Sequence, residues 1–195
     1  MSYSTKKAAA FLDRDGTINL DKGYFCRPEE FEFEQGSIEA IRLLNQAGYR
    51  VFVISNQAGI ALGHFSETQV DELHKWLMAE LAQYGAHIDG FYYCPHHAKL
   101  GIGHYKTVCD CRKPAPGLIL KAVNEWNIDL NKSYMVGDHN SDVEAGHAAG
   151  VKSIFVRTGH GREEELFVAP DVPRAANLYE AVTKYMLPSA DLLRR

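Results

Sequence analysis

The sequence has 195 residues, 46% of them hydrophobic, and a formal net charge of −4 from 21 basic and 25 acidic residues. That length suits one domain, 1–195, with a substantial core, and the apolar fraction excludes general disorder. The mild acidic balance gives no electrostatic footprint for nucleic acid or an anionic membrane. No apolar segment approaches the ~20 residues of a membrane span, and the N-terminal apolar run is too short for a secretory signal. We therefore expect a cytoplasmic protein without nucleic-acid or membrane partners, and we expect a monomer because nothing in the sequence demands a dimer.

Short apolar runs alternate with amphipathic segments along the chain. Ser66, with Gln69 three residues later, resembles a capping box that opens one of the helices. Alternating buried strands and helices predict a doubly wound, Rossmann-like α/β fold with a parallel sheet. The predicted strands are 8–13, 49–55, 89–94, 133–138 and 152–157, and the predicted helices are 37–48, 66–84, 116–126, 142–150 and 178–186.

Three polar residues follow or end the predicted strands. Asp13, Ser55 and Asp138 each close an apolar strand run. In parallel α/β sheets, ligands bind beyond the carboxyl ends of the strands, where the strand order reverses. We therefore expect these three side chains to converge on one site.

The segment Asp-Arg-Asp-Gly-Thr (13–17) places two carboxylates two residues apart. In extended backbone Asp13 and Asp15 share one face, and their repulsion favours a divalent cation such as Mg²⁺. One carboxylate can then attack phosphorus while the other moves protons. The alternative is an ordinary strand-ending turn, since Asp and Gly are common there. A chance match to this pattern in ~200 residues has a probability well below ~1%, which favours the catalytic interpretation.

Four segments together resemble the motifs of the haloacid dehalogenase superfamily, whose phosphatases pass through an aspartyl-phosphate. They are FLDRDGT (11–17), VISN (53–56), CRKP (111–114) and VGDHNSD (136–142). The resemblance implies that Asp13 is the nucleophile and Asp15 the acid and base. It implies that Ser55, Arg112 and Lys113 hold the transferring phosphoryl group, as positioning and charge neutralisation require.

The same resemblance implies a magnesium site formed by Asp13, Asp15 and Asp138. Asp142 has two possible roles, which the sequence does not separate. It either binds the metal through water or caps the helix that follows.

Three of the four cysteines cluster with histidine in a second constellation. Cys94, His96, Cys109 and Cys111 offer three thiolates and one imidazole, which is the donor set of a closed, structural zinc site. His97 is the rival ligand, and the family pattern Cys-x-His favours its neighbour. The remaining cysteine, at position 26, is expected to be an ordinary loop thiol.

The predicted zinc site is continuous with the third motif. Arg112 and Lys113 follow Cys111 directly, while the loop 95–108 has little core-forming character. Zinc is therefore expected to order this loop and hold the two cations for phosphate binding.

The cysteine-rich insertion narrows the resemblance to two branches of the superfamily: phosphatases of heptose bisphosphates and histidinol-phosphate phosphatases. The longer zinc loop favours the first branch, which implies removal of the 7-phosphate from a heptose 1,7-bisphosphate, a step in the synthesis of cell-envelope glycans. His139 departs from the lysine expected there. The implied substrate contacts are Asp21, Lys22, Gly23, Tyr24, Ser55, Asn56, Gln57, Ala58, Arg112, Lys113 and His139.

Other classes of function remain open at this stage. Short connections predict that no large cap domain covers the site, so loops must supply selectivity. Histidinol phosphate is the alternative substrate, a terminal phosphate on nucleic acid is a third, and a non-catalytic phospho-ligand module is the non-enzymatic alternative. Ordinary surface or core roles are expected for the segment 161–167 and for histidines 64, 74, 87, 104, 147 and 160.

Overall fold

The computed structural model describes residues 6–187. Its strands are β1 (Ala9–Leu12), β2 (Arg50–Asn56), β3 (Gly90–Cys94), β4 (Tyr134–Gly137), β5 (Lys152–Val156) and β6 (Arg174–Ala175). Its α-helices are α1 (Ser37–Gln46), α2 (Ala58–Ala61), α3 (Glu67–Gln83), α4 (Gly117–Glu125), α5 (Asn140–Ala149), α6 (Gly161–Glu164) and α7 (Leu178–Ala181). The predicted last helix is α7 followed by a π-helical turn over Val182–Met186.

The six strands form one parallel sheet in the order β3-β2-β1-β4-β5-β6. Leu12 in the central strand lies beside Val53 on one side and Val136 on the other. The chain winds outward from β1 in both directions, so the strand order reverses between β1 and β4. The predicted doubly wound α/β fold is confirmed, and the two-residue strand β6 is an addition to it.

Alternate residues of the central strands face opposite sides of the sheet. Ala10 and Leu12 pack into a core cluster with residues of α1, α3 and α7, whereas Ala9 and Phe11 pack with residues of α4 and α5. This period of two is what an extended chain imposes, and both sets are completely buried. Helices therefore cover both faces, and the open region of the sheet is its carboxyl edge.

Helix α3 begins at the predicted capping box. The Ser66 side chain accepts a hydrogen bond from the Gln69 N–H at 3.3 Å, and the Gln69 side chain accepts one from the Ser66 N–H at 2.9 Å. Helix α5 begins two residues earlier than predicted. Asp142 reaches back there to accept a hydrogen bond from the His139 N–H at 3.0 Å.

Two inserted segments border the carboxyl edge of the sheet. Residues 13–36 contain one 3₁₀ turn, Pro28–Glu30, and residues 95–116 form the cysteine-rich loop. The loop is tied to α2, because the Ile102 N–H donates to the Ala61 carbonyl at 2.8 Å. Across 6–187 no large cap domain covers this edge, as predicted. Each helix in the same range is too short or too polar to cross a membrane.

The charged segment 161–167 folds as α6 and a 3₁₀ turn. Leu166 and Phe167 are exposed, in keeping with the expected surface role. Glu165 forms ion pairs with Arg157 at 2.6 Å and with Arg174 at 3.2 Å.

Candidate active site

An open cleft of about 760 Å³ lies at the carboxyl edge of the sheet, where the strand order reverses. Each sequence-predicted catalytic or substrate residue except Lys22 lines it, and the predicted metal ligand Asp138 lies buried beside it. The lining is Asp13, Asp15, Asp21, Gly23, Tyr24, Ser55, Asn56, Gln57, Ala58, Gly59, Phe65, Arg112, Lys113, His139, Ser141, Asp142 and His160.

At the floor of the cleft, a buried lysine lies among buried carboxylates. Lys113 Nζ is 2.7 Å from Asp13 Oδ1 and 2.6 Å from Asp142 Oδ1, and it donates to the Ile54 carbonyl at 2.8 Å. The contacts with Asp13 and Ile54 are hydrogen bonds, and the contact with Asp142 is an ion pair. Burial opposes the charge of Lys113, but Asp13 and Asp142 outweigh burial and raise the pKa of the ammonium. The cation is therefore fixed and charged next to the predicted nucleophile.

Asp13, Asp138 and Asp142 form a cluster in which one carboxylate oxygen from each lies within 4.8 Å of the others. Burial raises the pKa of Asp13 to about 7, against the opposing charge of Lys113, and raises the pKa of Asp138 to about 9. Three carboxylates and one ammonium leave two uncompensated negative charges if all are ionised. That balance fits a divalent cation bound by oxygen.

The Asp138 carboxylate lies in a close-fitting backbone pocket. Its Oδ2 accepts a hydrogen bond from the His160 N–H at 2.8 Å, whereas its buried Oδ1 accepts none from residues 6–187. A Cβ added to Gly16 or to Gly159 would lie 2.3 Å from Oδ2. These glycines leave room for the carboxylate, and the unpartnered oxygen is a further feature that fits a metal ligand.

Asp15 lies in a different set of contacts from the one predicted. Arg14 donates to its Oδ1 from Nε at 3.1 Å and to its Oδ2 from Nη2 at 2.9 Å, Asn19 donates at 3.0 Å, and Gln57 donates at 2.9 Å. Burial alone would raise the pKa of Asp15, but the Arg14 guanidinium and these hydrogen bonds lower it. Its carboxylate is not part of the cluster around Asp138, so direct metal binding by Asp15 stays a prediction.

Two of the predicted substrate contacts are also internal supports. Gln57 donates to Ser55 Oγ at 2.7 Å while bonding Asp15, so it links two predicted catalytic groups. Asn56 accepts from the Lys113 N–H at 3.0 Å and donates to the Lys113 carbonyl at 3.1 Å. Both amides therefore hold the catalytic groups in position.

The rim of the cleft is formed by the predicted selectivity segment and by the loops after β4 and β5. Tyr24 is 59% exposed and stacks on His64 with ring centroids 4.7 Å apart. Asp21 lies 3.1 Å from His160 Nε2. Lys22 pairs with Glu32 at 2.9 Å and is absent from the lining of the cleft.

The cysteine-rich loop brings its predicted ligands together. Sulfur–sulfur distances among Cys94, Cys109 and Cys111 are 3.0, 3.2 and 3.5 Å, and His96 Nδ1 is 3.4 Å from Cys111 Sγ. Cys94, His96, Cys109 and Cys111 could hold a metal ion, and three sulfurs with one imidazole fit a tetrahedral site. His97 lies outside the cluster and accepts a hydrogen bond from the Leu100 N–H at 3.0 Å.

The cluster connects to the cleft through one arginine. Arg112 Nη1 donates to the His96 carbonyl at 3.1 Å, and Arg112 also lines the cleft. A direct hydrogen bond therefore joins the cysteine-rich loop to Arg112, one of the two predicted phosphate-binding cations.

Sequence reasoning missed three residues around the site. Arg14 lies between two aspartates and was given no role, because the sequence does not show that its side chain is buried, with 1% exposed. His160 had no motif around it, and it approaches Asp138 only through the fold. His74 lies on the buried face of α3, and its helical spacing with Val70 and Leu77 was the available signal.

Comparison with known proteins places the chain in a family. A family model described as HAD-hydrolase-like matches residues 110–181. The D-glycero-beta-D-manno-heptose-1,7-bisphosphate 7-phosphatase of Pasteurella multocida is 50% identical over 154 residues, which are 78% of this chain and 83% of the relative. The protein of the same name from Escherichia coli K12 is 44% identical over 184 residues, 93% of this chain and 96% of the relative.

A solved structure gives the same result. The D,D-heptose 1.7-bisphosphate phosphatase from B. bronchiseptica, complexed with magnesium and phosphate, superposes with a TM-score of 0.80 at 31% identity. The match covers 88% of this chain and 94% of that chain. This chain belongs to the haloacid dehalogenase-like hydrolase family, and it is a phosphomonoester hydrolase. The resemblance expected from its four motifs is confirmed.

Proposed function

We propose that this enzyme removes the 7-phosphate from D-glycero-β-D-manno-heptose 1,7-bisphosphate by Mg²⁺-dependent hydrolysis. The relatives named for that activity are similar over most of this chain. The observation that carries the proposed chemistry is the buried Lys113 ammonium, 2.7 Å from the Asp13 carboxylate at the floor of an open cleft. A fixed cation beside a carboxylate nucleophile suits the transfer of a dianionic phosphoryl group.

In the first step, Asp13 attacks phosphorus and the bond from phosphorus to the C7 oxygen breaks. Asp15 gives its proton to the departing sugar oxygen. Lys113, Ser55 and Arg112 hold the phosphoryl oxygens as charge moves onto them. The product of this step is an aspartyl-phosphate on Asp13 and the heptose 1-phosphate.

In the second step, a water attacks phosphorus and gives its proton to Asp15. The bond between phosphorus and Asp13 breaks, which restores the carboxylate and releases inorganic phosphate. The hydrogen bonds from Arg14, Asn19 and Gln57 favour the charged form of Asp15, which suits its role as the base of this step. They oppose its role as the acid of the first step, so Asp15 takes up that proton when the negatively charged phosphate binds beside it.

Asp13 and Asp138 are the proposed protein ligands of Mg²⁺, and Asp15 remains the third residue predicted from the sequence. Asp142 lies within the same cluster of carboxylates. Bound magnesium would neutralise phosphate charge and orient the phosphoryl oxygens. The Asp142 side chain accepts from the His139 N–H, which supports the helix-capping role left open by the sequence.

We propose zinc as the ion held by Cys94, His96, Cys109 and Cys111. Four protein donors close the coordination sphere, which is typical of a structural rather than a catalytic site. The contact between Arg112 and the His96 carbonyl supports a role in orienting the phosphate-binding cation. All these groups come from one chain, so the proposed mechanism requires no second subunit.

The test is release of phosphate from a panel of substrates: both anomers of the heptose 1,7-bisphosphate, fructose 1,6-bisphosphate, histidinol phosphate and a 3′-phosphorylated oligonucleotide. We expect the β-heptose compound to give the highest kcat/KM, with heptose 1-phosphate as its product. The turnover should require Mg²⁺ and disappear in Asp13→Asn. Preference for histidinol phosphate would refute the substrate, and turnover by Asp13→Asn would refute the mechanism.

A further inference from the structure

A buried cation lies next to the proposed acid and base of the reaction. Arg14 is 1% exposed, and its guanidinium forms a two-point contact with the Asp15 carboxylate. A guanidinium removed from water is costly unless it is paired and hydrogen-bonded. The Arg14 charge is therefore held against Asp15. Asp15 lines the cleft, whereas Arg14 does not.

The guanidinium has its own support from helix α3. His74 is buried, and its Nε2 lies 3.4 Å from Arg14 Nη1. A guanidinium has only donors, so the imidazole Nε2 is the acceptor. The ring of His74 stacks on Phe91 of β3 with centroids 4.3 Å apart, which fixes its orientation.

A third contact completes the support. The Arg14 guanidinium carbon lies 5.7 Å from the centre of the Phe25 ring. Arg14 is thus held by an imidazole and an aromatic ring, while two of its nitrogens contact the carboxylate.

We propose that His74 is a positioning residue for phosphoryl transfer, because it holds Arg14 in the orientation that fixes the Asp15 carboxylate at the cleft. This inference rests on the acid and base role of Asp15 in the proposed function. Proton transfer in the transition state depends on the position of the transferring group. Loss of the imidazole acceptor lets the guanidinium and its carboxylate move, although His74 does not touch the substrate.

The two steps of the reaction respond differently to such a loss. Departure of a sugar oxygen needs a proton from Asp15, but departure of nitrophenolate does not. Hydrolysis of the aspartyl-phosphate needs Asp15 as a base with either substrate. A misplaced Asp15 therefore slows both steps with a sugar phosphate and only the second step with p-nitrophenyl phosphate.

The experiment compares His74→Phe, which keeps a stacking ring but removes the acceptor, with His74→Gln, which supplies an amide oxygen. Leu77→Ala is the control, because it removes buried contacts from the same helix and Leu77 packs in the apolar core cluster with Ala10 and Leu12. We expect His74→Phe to lower kcat for the sugar phosphate about tenfold or more with little change in KM. With p-nitrophenyl phosphate it should give a burst of nitrophenolate stoichiometric with enzyme, and His74→Gln should recover much of the loss.

The inference is overturned if His74→Phe has the kcat of the wild type, per folded protein, and shows no burst. It is also overturned if His74→Phe and Leu77→Ala lose activity equally with both substrates, since that pattern indicates a structural role alone. The wild type and Asp13→Asn, run in parallel, test the proposed function separately. An inactive wild type would overturn that function and this inference with it.

Discussion

Lys113 is the residue on which the chemistry of the cleft converges. Its ammonium contacts Asp13 and Asp142, and its backbone is held at both polar groups by Asn56. Burying these charges together is tolerable only while each is compensated, and the ammonium compensates one of the three clustered carboxylates. The two charges that remain are what a divalent cation neutralises.

This charge balance predicts how stability depends on pH and magnesium. A carboxyl whose pKa is higher in the folded than in the unfolded state stabilises the fold at low pH and loses that contribution as pH rises through its folded pKa. Asp13 and Asp138 have folded values of about 7 and about 9, against 3.8 for the free side chain. The stability of the metal-free enzyme should therefore fall as pH rises from about 4, with the Asp13 contribution lost by about pH 7 and the Asp138 contribution lost by about pH 9. The slope is up to ~1.4 kcal/mol per pH unit for each titrating group.

Thermal unfolding with and without Mg²⁺ measures the effect, with zinc kept constant. Magnesium should raise Tm more at the upper end of this range, because fewer protons compete with it there. Asp138→Asn should flatten the dependence. If magnesium raised Tm by the same amount at the lower and the upper end of the pH range, the proposed ligands Asp13 and Asp138 would be contradicted.

His74 gives a second pH dependence, of opposite sign, in a window that overlaps the acid part of the first. Burial, with Arg14 beside it, lowers the pKa of His74 from 6.5 to about 3. The unfolded chain then binds a proton that the folded chain does not, so this histidine should lower stability as pH falls from about 6.5 towards about 4. Asp13 and Asp138 titrate alike in both proteins, so chemical denaturation should show His74→Phe gaining stability relative to the wild type as pH falls through this range. A stability difference between the two proteins that does not change with pH would contradict the lowered pKa of His74.

The residues predicted from sequence share one property: each stands at a fixed offset in a short motif. Asp13, Asp138 and Lys113 could be predicted for that reason, and the Cys-x-Cys pair indicated its metal site. Arg14 and His160 could not be, because their roles depend on partners that are distant in sequence or on burial. Asp15 was predicted by motif, yet its neighbours Asn19 and Gln57 became evident only in three dimensions.

At the scale of elements, the loop after β5 shapes the proposed magnesium site. Gly159 has φ +52°, and a side chain there would collide with the Asp138 carboxylate. We predict that Gly159→Ala raises the magnesium concentration needed for half-maximal activity at least about tenfold, since Asp138 must move. A titration of activity against Mg²⁺ measures this change.

Gly150 supplies the matched control. It also has a positive φ, +80°, but a Cβ there meets nothing within 4 Å. Gly150→Ala should cost about 1 kcal/mol of stability and leave the magnesium requirement unchanged. If both variants raised the magnesium requirement to the same extent, backbone strain rather than crowding of Asp138 would explain the effect. An unchanged requirement in Gly159→Ala would contradict the prediction.

Most helices and strands could be predicted from the sequence, because hydrophobic periodicity and capping residues are local signals. The capping box at Ser66 and the apolar run of β1 are examples. The two-residue strand β6 carries too little sequence to show a period, and α2 is a single turn. Strand β6 and helix α2 form only because neighbouring parts of the folded chain pair with them or pack against them.

At the scale of the whole molecule, topology brings four distant motifs to one edge of a sheet. Asp13 and Asp138 follow β1 and β4, the adjacent strands between which the winding reverses. Lys113 reaches the same point from the cysteine-rich loop, 100 residues along the chain from Asp13. A metal in that loop would therefore act on catalysis at a distance from the reacting phosphate.

Removal of the proposed zinc tests this connection. Cys109→Ser removes one donor, and we expect loss of bound zinc, a lower Tm and a fall in kcat/KM, because Arg112 loses its anchor. Cys26→Ser is the control, since Cys26 is a half-buried thiol outside the cluster. Metal analysis, thermal unfolding and phosphate release are measured on both variants. Normal activity in a zinc-free Cys109→Ser enzyme would contradict the positioning role of the loop.

The central claim is that Asp13 carries the phosphoryl group taken from the 7-position of the sugar. Its most direct test is acid quenching of a reaction with the β-heptose bisphosphate radiolabelled at that phosphate. The mechanism predicts label covalently bound to the wild-type protein, recovered on the peptide that contains Asp13 and absent from Asp13→Asn. Turnover without any protein-bound label under single-turnover conditions, or label on a different residue, would contradict it.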